Sequence, residues 1–225
     1  MITFLTTIYK TMLEALFPST KSEKELFSLS PEQALEILPR APETPFTNMR
    51  STFAYKDDRV TRLIWNIKYK KSKRATEIGG YALYSKLIEI TRSDLVKENT
   101  RIIIPIPITK RRKNERGYNQ CELLADEIAR LDTEKRFVIE KELLRRIHHA
   151  DRQTLKDRTD RLTDAKGIFS VDDIFADKIK NDTNQNKIPI IVIDDVITTG
   201  STMKEAIDTL QKSGFERILG ISLAH

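Results

Sequence analysis

The segment Ile188–Met203, IPIIVIDDVITTGSTM, contains an apolar run, two adjacent carboxylates and a turn rich in hydroxyl groups, in that order. The run Ile188–Ile193 predicts a strand that is covered on both faces. Asp194 and Asp195 then come at the carboxyl end of that strand, which is the edge where ligands bind in open α/β sheets. Two acids at the end of a buried strand need hydroxyls, cations or a metal to offset their lost hydration. We therefore expect a ligand site where the segment leaves the strand.

The turn Thr198–Thr202 predicts an anion site. Its glycine, Gly200, permits positive φ and a close approach of the backbone to a ligand. The helix predicted to follow, Thr202–Ser213, directs free N–H groups and the positive end of its dipole into the turn. Amides and hydroxyls suit a phosphate monoester and paired carboxylates suit vicinal hydroxyls, and ribose 5-phosphate presents both. Alternatively, Thr202 caps the helix together with Glu205, because Thr-x-x-Glu is a capping-box pattern.

Beyond residue 50, apolar runs alternate with helical patterns. This alternation predicts a mostly parallel, doubly wound α/β sheet. The predicted strands are Arg101–Pro105, Phe137–Ile139, Leu143–Arg146, Gly167–Val171, Ile188–Ile193 and Arg217–Leu223. Helices are predicted from Asp57, where apolar residues recur at helical spacing, over Glu77–Thr91, after an Asn119–Glu122 capping box, and over Thr202–Ser213. The basic run Lys110–Arg116 predicts a solvated loop or a clamp for pyrophosphate, and residues 176–187 predict a polar connector.

The N-terminal part of the chain has a different character. Five prolines punctuate residues 18–50, which predict a linker with one short helix from Ser30-Pro31-Glu32 through Leu38. Residues 1–50 are therefore predicted to be an α-helical N-terminal extension, and residues 51–225 the main domain. The apolar residues of Met1–Phe17 recur at helical spacing and predict a packing or docking helix rather than a signal peptide. No apolar run approaches the roughly 20 residues that span a bilayer, so a cytoplasmic location is expected.

Composition sets further bounds. Of the 225 residues, 39% are hydrophobic and 32% charged, which is typical of a globular chain with a substantial core. The net charge of +6 favours anionic partners, and phosphate ligands and nucleic acid fit it equally well. The single cysteine, Cys121, excludes an internal disulfide and a zinc site made of thiolates alone. We interpret Cys121 as a residue that fills space on a helix.

The motifs together resemble those of ComF/GntX proteins, members of the type I phosphoribosyltransferase superfamily. Ile188–Met203 looks like the signature with which that superfamily binds phosphoribosyl pyrophosphate (PRPP): an apolar strand, two acids, two residues and a Thr-Gly-x-Thr turn. Other segments similar to ComF/GntX proteins are Tyr55, Leu63-Ile64, Lys68-Tyr69, Pro105–Pro107, Arg116–Gln120, Leu124-Ala125, Arg146, Gln153, Arg161, Gly167–Phe169 and Leu223–His225. The resemblance covers about residues 53–225. It implies a type I phosphoribosyltransferase fold with a flexible flap or hood.

The resemblance also implies roles for individual residues. Asp194 and Asp195 would bind the ribose hydroxyls, and the 5-phosphate would lie against Thr198, Thr199, Gly200, Ser201 and Thr202. The pyrophosphate loop would comprise Ile106, Pro107, Ile108 and Thr109, with Arg116. His148–Lys166 would be the flap, and the catalytic candidates are Arg146, Arg152 and Gln153. Mg²⁺ would be held mainly by PRPP, with no strong ligands from the protein.

Two features depart from the family. No cysteine precedes Cys121, so the four-cysteine zinc ribbon usual after Leu16-Phe17-Pro18 is absent or replaced by a metal-free segment, and no zinc is expected. Thr198 stands where purine salvage enzymes place an acid that manages the proton of the base. Salvage by that mechanism is disfavoured, which leaves the acceptor unidentified.

Three functions fit the sequence. The first is an enzyme that transfers 5-phosphoribose to an amine or base with Mg²⁺-assisted release of pyrophosphate, linked to DNA uptake and competence. The second is a non-catalytic, PRPP-sensing accessory protein of the competence machinery. The third is a DNA-binding adaptor that uses Lys110–Arg116, although that run lacks interleaved aromatic residues apart from Tyr118. The expected partners are PRPP and an acceptor, with single-stranded DNA, competence proteins and a second copy in a homodimer left open.

Overall fold

A parallel β-sheet organises the residues that the computed structural model describes, which are 20–93, 100–147, 167–182 and 188–225. Its strands are β1 (Met49–Phe53), β2 (Arg101–Pro105), β3 (Phe137–Ile139), β6 (Ile190–Val196) and β7 (Ile218–Ala224). They pair in the order β1-β7-β6-β2-β3, with every pair parallel. Two further strands, β4 (Leu144–Arg146) and β5 (Phe169–Val171), form a separate antiparallel ribbon.

Eight α-helices and one π-helical turn occur in these ranges. The α-helices are α1 (Lys21–Ser28), α2 (Pro31–Ile37), α3 (Asp58–Trp65), α4 (Lys73–Ser93), α5 (Lys110–Arg116), α6 (Gln120–Leu131), α7 (Asp173–Asp182) and α8 (Ser201–Lys212). The π-helical turn, Asn66–Lys70, continues directly from α3. Each helix in the described ranges is too short or too polar to cross a membrane.

The sheet is covered on both faces, as its continuous apolar strands require. Alternate residues of β2 and β6 enter two different hydrophobic clusters: Ile103 and Ile191 face one, Ile104 and Val192 the other. The first cluster holds apolar side chains of α1 to α4 and α6, and the second holds those of α8 and of the β4–β5 ribbon. The predicted α/β class with a mostly parallel central sheet is therefore confirmed.

The chain changes direction across the sheet between β2 and β6. These two strands are neighbours, with Ile102 opposite Ile190 and Pro105 opposite Ile193. From β2 the chain continues to β3 on one side, whereas from β6 it continues to β7 on the other. A crevice forms at such a switch point outside the carboxyl ends of the strands, and ligands bind there in open α/β sheets. Asp194 and Asp195 are at this edge.

The structure corrects several sequence predictions. The basic run Lys110–Arg116 is a helix, because Thr109 accepts a hydrogen bond from the N–H of Arg112 at its start and Gly117 ends it with a φ of 78°. Part of the predicted polar connector 176–187 belongs to α7. Residues 18–50 include α1 and the first residues of β1, neither of which has a helical or alternating apolar pattern.

Helices α1 and α2 pack on the main body of the protein. Leu26, Ala34 and Leu38 are buried in the same cluster as the inner face of α4. The predicted start of the α2 helix is confirmed in detail, since Ser30 and Gln33 form a reciprocal capping box with Pro31 at the first helical position. The division of the chain at residue 50 stays a prediction.

Candidate functional site

The paired aspartates occupy the last part of β6 and differ in exposure. Asp194 is partly exposed and lines a concave pocket. The pocket is otherwise lined by Val196, Ile197, Thr198, Gly200, Ser201, Thr202 and Met203. Asp195 is 4% exposed and is not among the lining residues. The structure therefore brings Asp194 together with Thr198 and residues 200–202 of the predicted phosphate turn, whereas Thr199 and Asp195 do not line the pocket.

The charge partner of Asp195 is a lysine from the π-helical turn. The Nζ atom of Lys68 lies 3.0 Å from Oδ2 of Asp195. This contact is an ion pair whose geometry falls short of a directed hydrogen bond, because Oδ2 accepts no hydrogen bond within the described ranges. Burying an aspartate without a cation would be costly, so Lys68 compensates for the burial of Asp195. A ribose hydroxyl could reach Asp195 only if this ammonium moved or shared the carboxylate.

Asp194 is held by its own backbone and by a thiol. Its Oδ1 atom accepts hydrogen bonds from the N–H of Asp195, at 2.8 Å, and from Sγ of Cys121, at 3.4 Å. Burial and then the negative charge of Asp195 raise the pKa of Asp194 to about 7. Burial, followed by the two aspartate charges, raises the pKa of the Cys121 thiol well above its usual range. Cys121 is therefore a protonated donor to Asp194 as well as the buried, space-filling residue that the sequence predicted.

The turn after β6 has an open backbone conformation. Gly200 has a φ of 75° and precedes the first residue of α8, Ser201. Gly200 has no side chain that could cap α8, and the N–H of Ser201 donates to Oγ1 of Thr199 at 3.4 Å. The alternative in which Thr202 caps against Glu205 is wrong: Thr202 lies inside the first turn of α8, and Glu205 accepts a hydrogen bond from the N–H of Ile168.

The turn that follows β2, residues 106–109, lies beside this pocket. The N–H of Ile106 donates to the carbonyl oxygen of Ile193 at 2.9 Å, and Asn119 at the start of α6 donates to the carbonyl oxygen of Ile106 at 3.0 Å. Arg146 donates to the carbonyl oxygen of Pro107 at 3.4 Å. Two predicted elements, the 106–109 turn and Arg146, are thereby brought together at the switch point.

Arg146 is a half-buried cation near the aspartates. Its guanidinium lies 5.3 Å from the centre of the Phe169 ring. Burial and then the charge of Arg112 lower the pKa of Arg146, while the charge of Asp194 acts in the opposite direction. An anionic ligand group placed beside Arg146 would therefore be attracted by Arg146 and Arg112. The other catalytic candidates, Arg152 and Gln153, and the predicted flap His148–Lys166 lie outside the described residues.

Arg116 contacts one residue of α6 and one of the π-helical turn. It donates a hydrogen bond to Oε1 of Gln120 at 2.7 Å, and its guanidinium lies 5.0 Å from the centre of the Tyr69 ring. Tyr69 belongs to the π-helical turn and is 38% exposed. The assignment of Arg116 to the pyrophosphate loop stays a prediction.

Aromatic and cationic side chains alternate around the π-helical turn. Lys70 lies 5.1 Å from the ring centre of Trp65, and Lys71 lies 5.4 Å from that of Tyr118. The Trp65 and Tyr69 rings are themselves 5.6 Å apart. We call this set the aromatic–cation cluster; its members are Trp65, Tyr69, Lys70, Lys71, Arg116 and Tyr118. The sequence analysis found only Tyr118 beside the basic run, because Trp65 and Tyr69 reach it through the fold.

Sequence reasoning gave no role to Lys68, although Lys68-Tyr69 is part of the family resemblance. Within the described ranges no three His, Cys, Asp or Glu side chains are grouped to hold a metal ion. The carboxylates present at the site are the two aspartates, one of which is already paired with Lys68. The expectation that Mg²⁺ would be held mainly by PRPP stays a prediction.

The fold and the site define an α/β protein with an acidic pair and a hydroxyl-rich turn at the switch point of a parallel sheet. The chain is 33% identical over 120 residues to Competence protein F from Haemophilus influenzae. The aligned segment covers 52% of this chain and 46% of that protein. The chain is also 32% identical over 124 residues to Competence protein ComFC from Bacillus subtilis. This aligned segment covers 55% of the chain and 44% of that protein.

These similarities support a ComF-type relationship over about half of the chain. The chain spans about half the length of the curated relatives it matches. No protein-family model matches it.

Proposed function

We propose that the site binds the ribose 5-phosphate part of PRPP and that the protein has a type I phosphoribosyltransferase fold. The observation that supports this most strongly is that Asp194 lines one pocket together with Thr198 and residues 200–202 of the turn. A carboxylate accepts hydrogen bonds from sugar hydroxyls, whereas the N-terminal end of α8 and the hydroxyls of Thr198, Ser201 and Thr202 suit a phosphate. Ribose 5-phosphate offers both groups in one small molecule.

We further propose that the protein transfers 5-phosphoribose to an amine or a base. The bond between the anomeric carbon and pyrophosphate breaks with its electron pair leaving on oxygen, and the acceptor nitrogen forms the new bond and loses a proton. Positive charge develops on the sugar ring, as in glycoside cleavage. Arg146, which donates to the carbonyl oxygen of Pro107, and the nearby Arg112 would attract the departing pyrophosphate. Magnesium bound to that pyrophosphate would neutralise part of its charge.

The relatives suggest the biological setting. Both are named as competence proteins, and we propose that this chain likewise acts in competence and DNA uptake. A non-catalytic protein that senses PRPP would use the same pocket. The two functions differ in whether pyrophosphate is released.

The test is an assay of pyrophosphate release with PRPP, Mg²⁺ and a panel of amines and bases. We expect release with at least one acceptor, and its loss in Asp194→Asn. Asp208→Asn is the matched control, because it makes the same chemical change on the exposed side of α8. Binding of PRPP without release from any acceptor would favour the sensing function. No binding of PRPP at all would refute both.

A second candidate function is binding of single-stranded nucleic acid. The observation that favours it is the aromatic–cation cluster, in which three cations each lie within 5.4 Å of an aromatic ring centre. Single-stranded nucleic acids stack their bases on aromatic rings and pair their phosphates with nearby cations. Helix α5, which ends at Arg116, adds an exposed basic surface. The cluster supplies the aromatic residues that the basic run lacks in sequence.

The test is fluorescence anisotropy with a labelled oligothymidine at several salt concentrations. Tyr69→Ala is expected to weaken binding by about 10-fold, the loss of one base stack. Tyr81→Ala on α4, outside the cluster, is the matched control and is expected to leave binding unchanged. Binding that does not weaken with salt, or equal losses in both variants, would rule out the cluster as a nucleic-acid surface.

A further inference from the structure

The π-helical turn gives Lys68 its position at the site. It continues from α3 and ends before Lys71, which has a φ of 50°, a conformation that non-glycine residues rarely adopt. π-helical turns are rare and occur frequently at functional sites. Here the turn places Nζ of Lys68 3.0 Å from Asp195. A regular α-helical continuation would rotate Lys68 relative to the sheet, so the widened turn needs contacts that stabilise it.

Glu23, from helix α1, supplies such contacts from one side. Glu23 is 2% exposed. Its Oε1 atom accepts a hydrogen bond from Nδ2 of Asn66, the first residue of the turn, at 3.0 Å. Lys70, the last residue of the turn, has its Nζ 3.6 Å from the same oxygen. Arg62 of α3 lies 4.0 Å from Oε2. The partners of this buried carboxylate therefore include residues at both ends of the turn, Asn66 and Lys70.

Tyr118 holds the turn from another side. Its hydroxyl donates to the carbonyl oxygen of Ile67 at 2.8 Å and accepts a hydrogen bond from the N–H of Lys71 at 3.1 Å. The hydroxyl therefore bridges backbone groups within and just after the turn. Lys68 lies between these two anchoring points in sequence, and its side chain reaches Asp195.

We propose that Glu23 is a positioning residue: it holds the π-helical turn in the geometry that pairs Lys68 with Asp195 and so sets the charge at the candidate site. Residues of the N-terminal extension then form part of the support of that site. The importance of this coupling for ligand binding rests on the proposed function. The coupling itself is a property of the ligand-free protein.

Asp194 reports on the position of Lys68. The charged and titratable groups that face Asp194 are Asp195 on its own strand, Lys68 of the π-helical turn, Cys121 of α6 and Arg146 of β4. The ammonium of Lys68 lowers the pKa of Asp194, which burial and Asp195 raise to about 7. If the turn relaxes and Lys68 leaves Asp195, the pKa of Asp194 rises further.

The experiment is an NMR titration of the full chain, labelled with ¹³C at the aspartate carboxyl groups and without ligand. Lys68→Met defines the full rise in the pKa of Asp194 that loss of the ammonium produces. Glu23→Ala is expected to give a rise in the same direction of at least about half that size, since it releases the turn. Glu23→Gln keeps an oxygen acceptor for Asn66 and is expected to restore most of the wild-type value. Glu25→Ala, an exposed change on the same helix, is the control and is expected to change nothing.

An unchanged pKa of Asp194 in a folded Glu23→Ala protein would overturn the proposal. Should Glu23→Ala not fold, Glu23→Asp replaces it: the charge remains, but the shorter side chain no longer reaches Asn66, and the same rise is expected. An unchanged value in that variant would equally overturn the proposal. Since no PRPP is present, failure of the proposed function would leave these results intact, and failure of the coupling would leave PRPP binding by the wild-type protein intact.

Discussion

The aromatic ring of Phe46 lies directly against Gly200, and a Cβ atom built on Gly200 would be 2.7 Å from Cζ of Phe46. Gly200 also has a φ of 75°, in the left-handed region that favours glycine. Two independent constraints therefore require glycine at the centre of the turn 198–202. Phe46, in a segment that the sequence predicts as a linker, supports the turn from behind.

Gly200→Ala is expected to lower the free energy of unfolding by about 2–3 kcal/mol, because it adds a steric clash to the cost of positive φ. Gly117→Ala is the matched control: Gly117 has a φ of 78° and open space around its Cβ position, so only about 1 kcal/mol is expected. Adding Phe46→Ala to Gly200→Ala should relieve the clash, although it costs packing of its own. Urea unfolding gives the free energy of unfolding of the wild type, the two glycine variants and the double variant. Equal losses of unfolding free energy in Gly200→Ala and Gly117→Ala would contradict the role of Phe46.

Lys68→Met leaves the buried carboxylate of Asp195 without its cation. We expect the free energy of unfolding to fall by about 2 kcal/mol, less than for a fully buried pair because the Lys68 side chain is 22% exposed. Adding Asp195→Asn removes the uncompensated charge, so the double variant should be more stable than Lys68→Met alone. The four proteins form a double-mutant cycle that denaturant unfolding can measure. Strictly additive losses would show that the two side chains do not interact.

The stability of the protein is expected to depend on the protonation of Asp194. Its pKa of about 7 in the folded protein is above the usual value for an unfolded chain, so the folded state binds the proton more tightly. The stability that Asp194 contributes is therefore complete below about pH 4 and is lost as the pH rises through about 7, by at most about 4 kcal/mol. Asp194→Asn should flatten this part of the profile of unfolding free energy against pH, whereas Asp208→Asn should keep it. If the unfolding free energy of Asp194→Asn changes with pH as steeply as that of the wild type, groups other than Asp194 cause the pH dependence.

Much of the fold could be predicted because the buried strands are distinctive in sequence. Arg101–Pro105 and Phe137–Ile139 have the predicted bounds. Arg101–Pro105 is a β-branched run covered on both faces, which has few alternatives. β1 could not be predicted in this way. Its sequence includes Ser51 and Thr52, and these are buried only because β7 provides their partners: Ser51 lies 2.7 Å from the hydroxyl of Ser222.

The site could be predicted only in part, for a similar reason. The acidic pair and the turn 198–202 are contiguous in sequence, so one segment specifies them. The contacts of Lys68, Glu23 and Phe46 join residues far apart in the chain. Lys68 and Asp195 are 127 positions apart, and no local pattern in the sequence indicates that they will form a pair. Helix α5 was missed because its residues are all polar and none is buried, although Thr109 and Gly117 mark its two ends.

The variant that tests the carboxylates most simply is Asp195→Asn. If the diol reaches Asp195 by sharing its carboxylate with Lys68, this change abolishes PRPP binding while the protein stays folded, because the amide is no longer a charged acceptor. Circular dichroism checks the fold, and Asp208→Asn is again the control. PRPP affinity equal to that of the wild type would count heavily against a role for Asp195.

The most direct measurement of the central claim is isothermal titration calorimetry of the wild-type protein with ribose 5-phosphate, 2-deoxyribose 5-phosphate and ribose. If the pocket holds the diol and the phosphate together, ribose 5-phosphate should bind about 10-fold more tightly than the 2-deoxy sugar, the loss of one hydrogen bond to a charged group. Ribose, which lacks the phosphate, should bind too weakly to detect. Equal affinities for the two sugar phosphates, or no binding of either, would contradict the account.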